Sequence, residues 1–138
     1  MRFMLPIALI ACLAACKPDA PPADMLAALP VGQEWQVTQI AGRPVPEGVK
    51  VNLLHPEAEQ IAGNSGCNRY SAPVERRDGK LHIGAIVGTR MMCSEPQMQT
   101  EQAFHAAIAR VDSVAATQDG IELRADGQPV IIAVRPAD

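Results

Sequence analysis

Ser94-Glu95-Pro96-Gln97-Met98-Gln99-Thr100-Glu101-Gln102-Ala103-Phe104-His105-Ala106-Ala107-Ile108-Ala109-Arg110-Val111 is the one long stretch of this 138-residue chain written in helical period. Phe104, Ala107, Ile108 and Val111 stand at i, i+3, i+4 and i+7, the spacing that gathers apolar side chains on one face of an α-helix. Its start is well marked. Ser94 is a good N-cap with Gln97 as its capping-box partner, Pro96 suits the first turn, and Glu95 complements the positive end of the helix dipole. The spacing predicts a helix over 95–110.

On either side of it the apolar residues recur in period two, the rhythm of half-buried strands. Strands are predicted at 35–40, 49–53, 58–62 after a break at His55-Pro56, 69–75, 80–86, 121–125 and 130–134. Asp78-Gly79, Asp119-Gly120 and Asp126-Gly127 punctuate them as hairpin turns. Many short strands and one helix give an α+β expectation: a curled antiparallel β-sheet, partly open and barrel-like, over one amphipathic helix.

The size suits one soluble domain, with 48% apolar and 20% charged residues. A formal charge of −3 and no basic run argue against nucleic acid and against a polybasic membrane surface. Beyond residue 15 only Trp35, Tyr70 and Phe104 are aromatic, too few for base-stacking platforms.

The N-terminus explains the rest of the organisation. Arg2 supplies positive charge, Met4 to Ala15 a short apolar run, and Leu13-Ala14-Ala15-Cys16 its end, in the order of a secretory signal. The run falls short of the roughly 20 apolar residues that a helix needs to cross a bilayer. Leu-Ala-Ala-Cys resembles the lipobox of bacterial lipoproteins, which implies acylation of Cys16 and cleavage before it. Lys17 is not the aspartate that resembles an inner-membrane retention signal, so the expected location is the outer membrane, on its periplasmic face. The expected organisation is a signal peptide over 1–15, a lipid-bearing Cys16 with a Pro/Ala-rich tether over 16–33, and a folded domain over 34–138. Such a tether spans about 3.1 Å per residue.

Cys12 leaves with the signal and Cys16 takes the lipid, so Cys67 and Cys93 remain of the four cysteines. Two thiols in an oxidising compartment suggest a disulfide, with two separate buried thiols as the competing reading.

Gly63-Asn64-Ser65-Gly66-Cys67-Asn68-Arg69-Tyr70, then Leu81-His82-Ile83, Thr89-Arg90-Met91-Met92-Cys93, Glu101 and Phe104 resemble the META domain, whose best-known bacterial members are heat-shock-inducible HslJ-like lipoproteins. The resemblance runs from Trp35 through the last hairpin. It implies an envelope role linked to stress or to antibiotic tolerance, with no catalytic mechanism. It marks Gly66, Asn68, Arg69, Tyr70, Thr89 and Arg90 as structural motif residues. Read from the residues alone, Gly63, Gly66, Asn64 and Asn68 offer positive-φ positions for a sharp bend, and Arg90 is a candidate partner for Glu101 or a cap for backbone carbonyls.

Other chemistries find weaker footing. Gly63-Asn64-Ser65-Gly66-Cys67 puts Cys where a nucleophile elbow needs Gly. His55, His82 and His105 are dispersed, without metal-ligand spacing. Met91, Met92, Met98 and Cys93 are soft ligands that suit Cu(I), but methionines beside a helix more often fill gaps. No enzyme, metal or cofactor is expected. The partners expected are the membrane, through the lipid anchor, and an envelope protein or cell-wall component. A small-ligand carrier using the concave face of the sheet is the alternative. The two differ in the interior, since a carrier needs an apolar cavity of a few hundred Å3.

Overall fold

Alternation of buried and exposed side chains runs along most strands of the computed structural model, which describes residues 26–137. In chain order these are β1 (Glu34–Ile40), β2 (Arg43–Pro44), β3 (Asn52–Glu57), β4 (Gln60–Asn64), β5 (Arg69–Arg77), β6 (Lys80–Ile83) and β7 (Val87–Gly88). The helix α1 (Glu95–Ile108) follows, then β8 (Ser113–Ala116), β9 (Gly120–Ala125) and β10 (Gln128–Val134). The predicted helix is present with its start intact: Ser94 N–H and Oγ both donate to Gln97 Oε1, at 3.2 and 2.8 Å.

Trp35 and Val37 on β1, Leu53 and His55 on β3, Tyr70, Ala72 and Val74 on β5, and Ile121 and Leu123 on β9 all turn inward. Register shifts on β1 between Val37 and Gln39, and on β10 between Pro129 and Ile131, mark bulges that reset this alternation. They let Ile40, and both Val130 and Ile131, reach the core. Phe104, Ala107 and Ile108 of α1 and the following Val111 cover that face, with α1 against β1 and β10. Leu29, in the segment read as the end of a tether, is 2% exposed in the same core, and its carbonyl lies 2.6 Å from His55 Nδ1.

The expected curled, barrel-like sheet is not what forms. The strands follow the open order β6-β5-β4-β3-β1-β10-β9-β8, with β2 added on β1 and β7 on β5, and every pair is antiparallel. Closure requires end strands with the length and stagger to pair along their edges. The end strands β6 and β8 have four residues each and form no ladder with each other. One bond outside any ladder, from Leu81 N–H to the Asp112 carbonyl at 2.8 Å, ties β6 to the turn before β8.

Sequence and structure also part at His55-Pro56, expected to break a strand. β3 runs through both residues, and Pro56 falls in the register irregularity between Leu54 and Glu57, where its missing N–H costs no ladder bond. No helix among the described residues is long and apolar enough to cross a membrane.

Candidate functional site

The corner between β4 and β5 is made by Ser65-Gly66-Cys67-Asn68, closed by Ser65 N–H donating to the Asn68 carbonyl at 2.9 Å. Gly66 has φ +120°, and a Cβ there would lie 3.0 Å from the Gln97 carbonyl oxygen and 3.3 Å from the Glu101 nitrogen. Only glycine meets both demands, a left-handed backbone and a loop pressed onto the first turns of α1. Asn64 and Asn68, expected at positive φ as well, are not there; their side chains do the work instead. Asn64 Oδ1 accepts from Gly66 N–H at 2.9 Å. The corner is fixed to the segment before the helix by the Cys67–Cys93 disulfide, with sulfurs 2.02 Å apart and Cα atoms 5.8 Å apart.

Asn68, 5% exposed, is the hub. Its backbone N–H donates to Glu101 Oε2 at 2.7 Å and its side-chain amide to Glu101 Oε1 at 2.9 Å. Its Oδ1 accepts from Met91 N–H at 2.6 Å and from Thr89 Oγ at 3.0 Å. Ser65 Oγ completes the carboxylate, donating to Glu101 Oε2 at 2.9 Å. Partial burial alone would raise the Glu101 pKa. The three bonds from Asn68 and Ser65, with a smaller coulombic contribution from His105, outweigh it and hold the carboxyl below its ordinary value.

Arg90, a candidate partner of Glu101, lies exposed, and that carboxylate is taken by Asn68 and Ser65. The true partners are not legible in the sequence, because Asn68 and Glu101 lie 33 residues apart. One signal is local: Glu101 stands three residues before Phe104 and seven before Ile108, at the border of the apolar face, where a carboxylate needs donors.

The remaining motif residues serve the same corner. Thr89 Oγ accepts from Arg69 N–H at 3.1 Å, and Thr89 N–H donates to the Arg69 carbonyl at 3.0 Å. Gly88 leaves no room for a side chain against that carbonyl. Tyr70 stacks on Phe104, centroids 5.1 Å apart and tilted by 57°, and its hydroxyl donates to the Asn52 carbonyl at 3.1 Å. Burial pushes its phenol far above the ordinary range.

Thr89 and Met91 are pinned at their backbone N–H groups, and the side chains of Met91 and Met92 stay exposed. Val87, Met91 and Met92 are 64, 53 and 89% exposed. With Ile86, Met98 and His105 they line a groove of about 560 Å3, floored by Asn68 and Glu101 and rimmed by the exposed Arg69 and Arg90. His105 Nε2 is buried and without a hydrogen-bond partner among the described residues. The three methionines thus do share one groove, while the thiol that accompanied them is spent in the bridge. Ser65, the would-be nucleophile, has no exposed surface, and its hydroxyl is committed to Glu101. His55 is buried beside Leu29 and His82 lies on β6, so the histidines remain in separate places. Among the described residues no three His, Cys, Asp or Glu side chains are grouped to hold a metal ion.

The model of the META domain matches residues 26–137. The chain belongs to the META domain family. A solution NMR structure of a protein from Burkholderia xenovorans is similar at 27% identity and a TM-score of 0.63, covering 97% of this chain and 100% of that one. A second NMR structure, at 20% identity and a TM-score of 0.56, covers 75% of this chain and 88% of that one, and speaks to the fold alone. No curated protein matches. The META domain is a structural and binding domain, not a catalytic one. In this chain the Ser65-Asn68-Glu101 group spends its hydrogen bonds on holding a corner.

Proposed function

We propose that this META-domain chain is a non-enzymatic envelope lipoprotein of the HslJ-like kind. It is exported, acylated on Cys16 and held by its lipid at the periplasmic face of the outer membrane. There the domain supports tolerance of envelope stress, such as heat or antibiotics, by contacting a protein or cell-wall partner. One observation carries the contact role: large apolar side chains stand exposed around a groove whose floor has its polar groups internally bonded, an arrangement suited to contact. The lipid anchor rests on Leu13-Ala14-Ala15-Cys16, which lies outside the described residues. The carrier alternative has less support. Leu53, Leu123, Ile131, Phe104 and Ile108 have no exposed surface and occupy the space between sheet and helix where a ligand would lodge.

The test joins labelling to crosslinking in intact cells. Labelled palmitate should enter the wild-type protein and be absent from Cys16→Ala, which should also leave the membrane fraction. A photo-crosslinking residue at Met92 should give one or a few discrete adducts that are absent when it replaces exposed Gln118 in the turn between β8 and β9, outside the groove lining. Palmitate absent from the wild type would remove the lipoprotein reading. Equal, diffuse crosslinking from both positions would remove the contact reading.

A further inference from the structure

Among the described residues three methionines, one valine, one isoleucine and two arginines line the groove, and the only carboxylate among its lining residues, Glu101, is bonded inward. No lysine or aspartate of the described residues takes part. Methionine and arginine are enriched, and lysine, aspartate and glutamate depleted, where proteins meet each other. Methionine adapts its shape to varied apolar side chains.

The charge is the informative part. In a chain of net charge −3, Arg69 and Arg90 stand together on this rim, and neither guanidinium has a hydrogen-bond or salt-bridge partner among the described residues. Two cations left free beside exposed apolar surface call for a partner with carboxylates next to apolar side chains. The backbone supplies a direction. β7 forms part of the groove wall and, among the described residues, pairs only with β5, so one edge of it carries no partner strand there. An unpaired edge is a template for one more strand.

Resting on the contact role proposed above, we infer that this groove takes an extended segment of a partner protein in which acidic and apolar residues alternate. The segment adds to β7, sets its apolar side chains on Val87, Met91 and Met92, and places its carboxylates against Arg69 and Arg90. Alternation follows from strand geometry, which sends successive side chains to opposite sides. The apolar groove and its charged rim are thereby met by different residues of one strand.

The probe is a fluorescein-labelled nine-residue peptide alternating glutamate with valine or leucine, titrated by anisotropy against the full-length chain in detergent. Saturable binding is expected, weakened about tenfold by Arg69→Glu with Arg90→Glu or by Met91→Ser with Met92→Ser, and by raising the salt to about 0.5 M. These side chains are exposed, so the variants should melt as the wild type does, which circular dichroism checks. A lysine-for-glutamate peptide should bind at least about tenfold more weakly, and a peptide N-methylated on alternate amides should not bind.

Equal binding of the lysine peptide would overturn the charge assignment, and equal binding of the N-methylated one would overturn strand addition. No saturable binding of the glutamate peptide would overturn the inference. So would a dimer seen by sedimentation and lost in the same variants, since the occupant would then be a second copy. A discrete crosslinked partner from Met92 together with a silent peptide would sink this inference and leave the contact role standing.

Discussion

Asn68 and Arg69 are neighbours in the chain with opposite duties. Asn68 faces in, and its amide joins α1 to the 89–91 segment; Asn68→Ala would leave Glu101 Oε1, Met91 N–H and Thr89 Oγ short of a partner. An unsatisfied buried group costs about 1–3 kcal/mol, so a loss of about 2–4 kcal/mol in urea unfolding is expected, against less than about 0.5 kcal/mol for Arg69→Ala. Equal losses would remove the hub role. Glu101 adds a dependence on acidity. Its carboxyl is held below the ordinary glutamate value, so the folded state favours the ionised form. The stability this gives is complete above the unfolded-state pKa and is lost as the pH falls through the lower folded-state pKa. Asp112, where desolvation would raise the value but bonds from Asp126, Lys80 and Ser113 outweigh it, acts in the same sense. Stability measured from neutral pH into this acid range should therefore fall less steeply for Glu101→Gln than for the wild type. Identical slopes would show that the Asn68 and Ser65 bonds do not favour the ionised carboxylate.

At the level of elements, the disulfide spans 26 residues that include β5, β6 and β7. Removing both sulfurs, Cys67→Ser with Cys93→Ser, should cost roughly 3.5 kcal/mol if chain entropy governs the effect. A midpoint unchanged in denaturant would show that the unfolded state is already constrained. This bridge could be read from cysteine arithmetic, and α1 from its apolar face and its Ser94 start, because both signals are local or countable. The Asp78-Gly79 and Asp126-Gly127 turns were equally legible, and all four residues have positive φ. β2 and β7 were not, since two residues carry no period. β8 was missed because Ser113-Val114-Ala115-Ala116 offers small, mostly half-buried side chains without alternation. The curl expected of the sheet is not dictated by the residues. Glycine-rich corners signal bends, but whether end strands meet is decided by pairing between distant segments. The same holds for the site: its motif residues were visible, while the Asn68–Glu101 bonds and the gathering of Arg69, Arg90 and the methionines around one groove depend on the fold.

Taken whole, the molecule is an open sheet whose inner face is sealed by α1 and Leu29, with its apolar side chains left exposed around a groove at one corner. The bridge at that corner does more than steady it. Arg69, Arg77, Lys80 and Arg90, all exposed, fall between Cys67 and Cys93, and Arg77 and Lys80 flank the tip of the β5–β6 hairpin. A trypsin-like protease that nicks this tip cannot divide the protein, because both fragments stay joined through sulfur. Brief digestion should leave a single band on a non-reducing gel that separates into two once reductant is added. Two bands without reductant would mean that the first cut falls elsewhere. In a compartment patrolled by proteases, a severed backbone at this hairpin would leave the covalent connection between the two parts of the sheet unbroken.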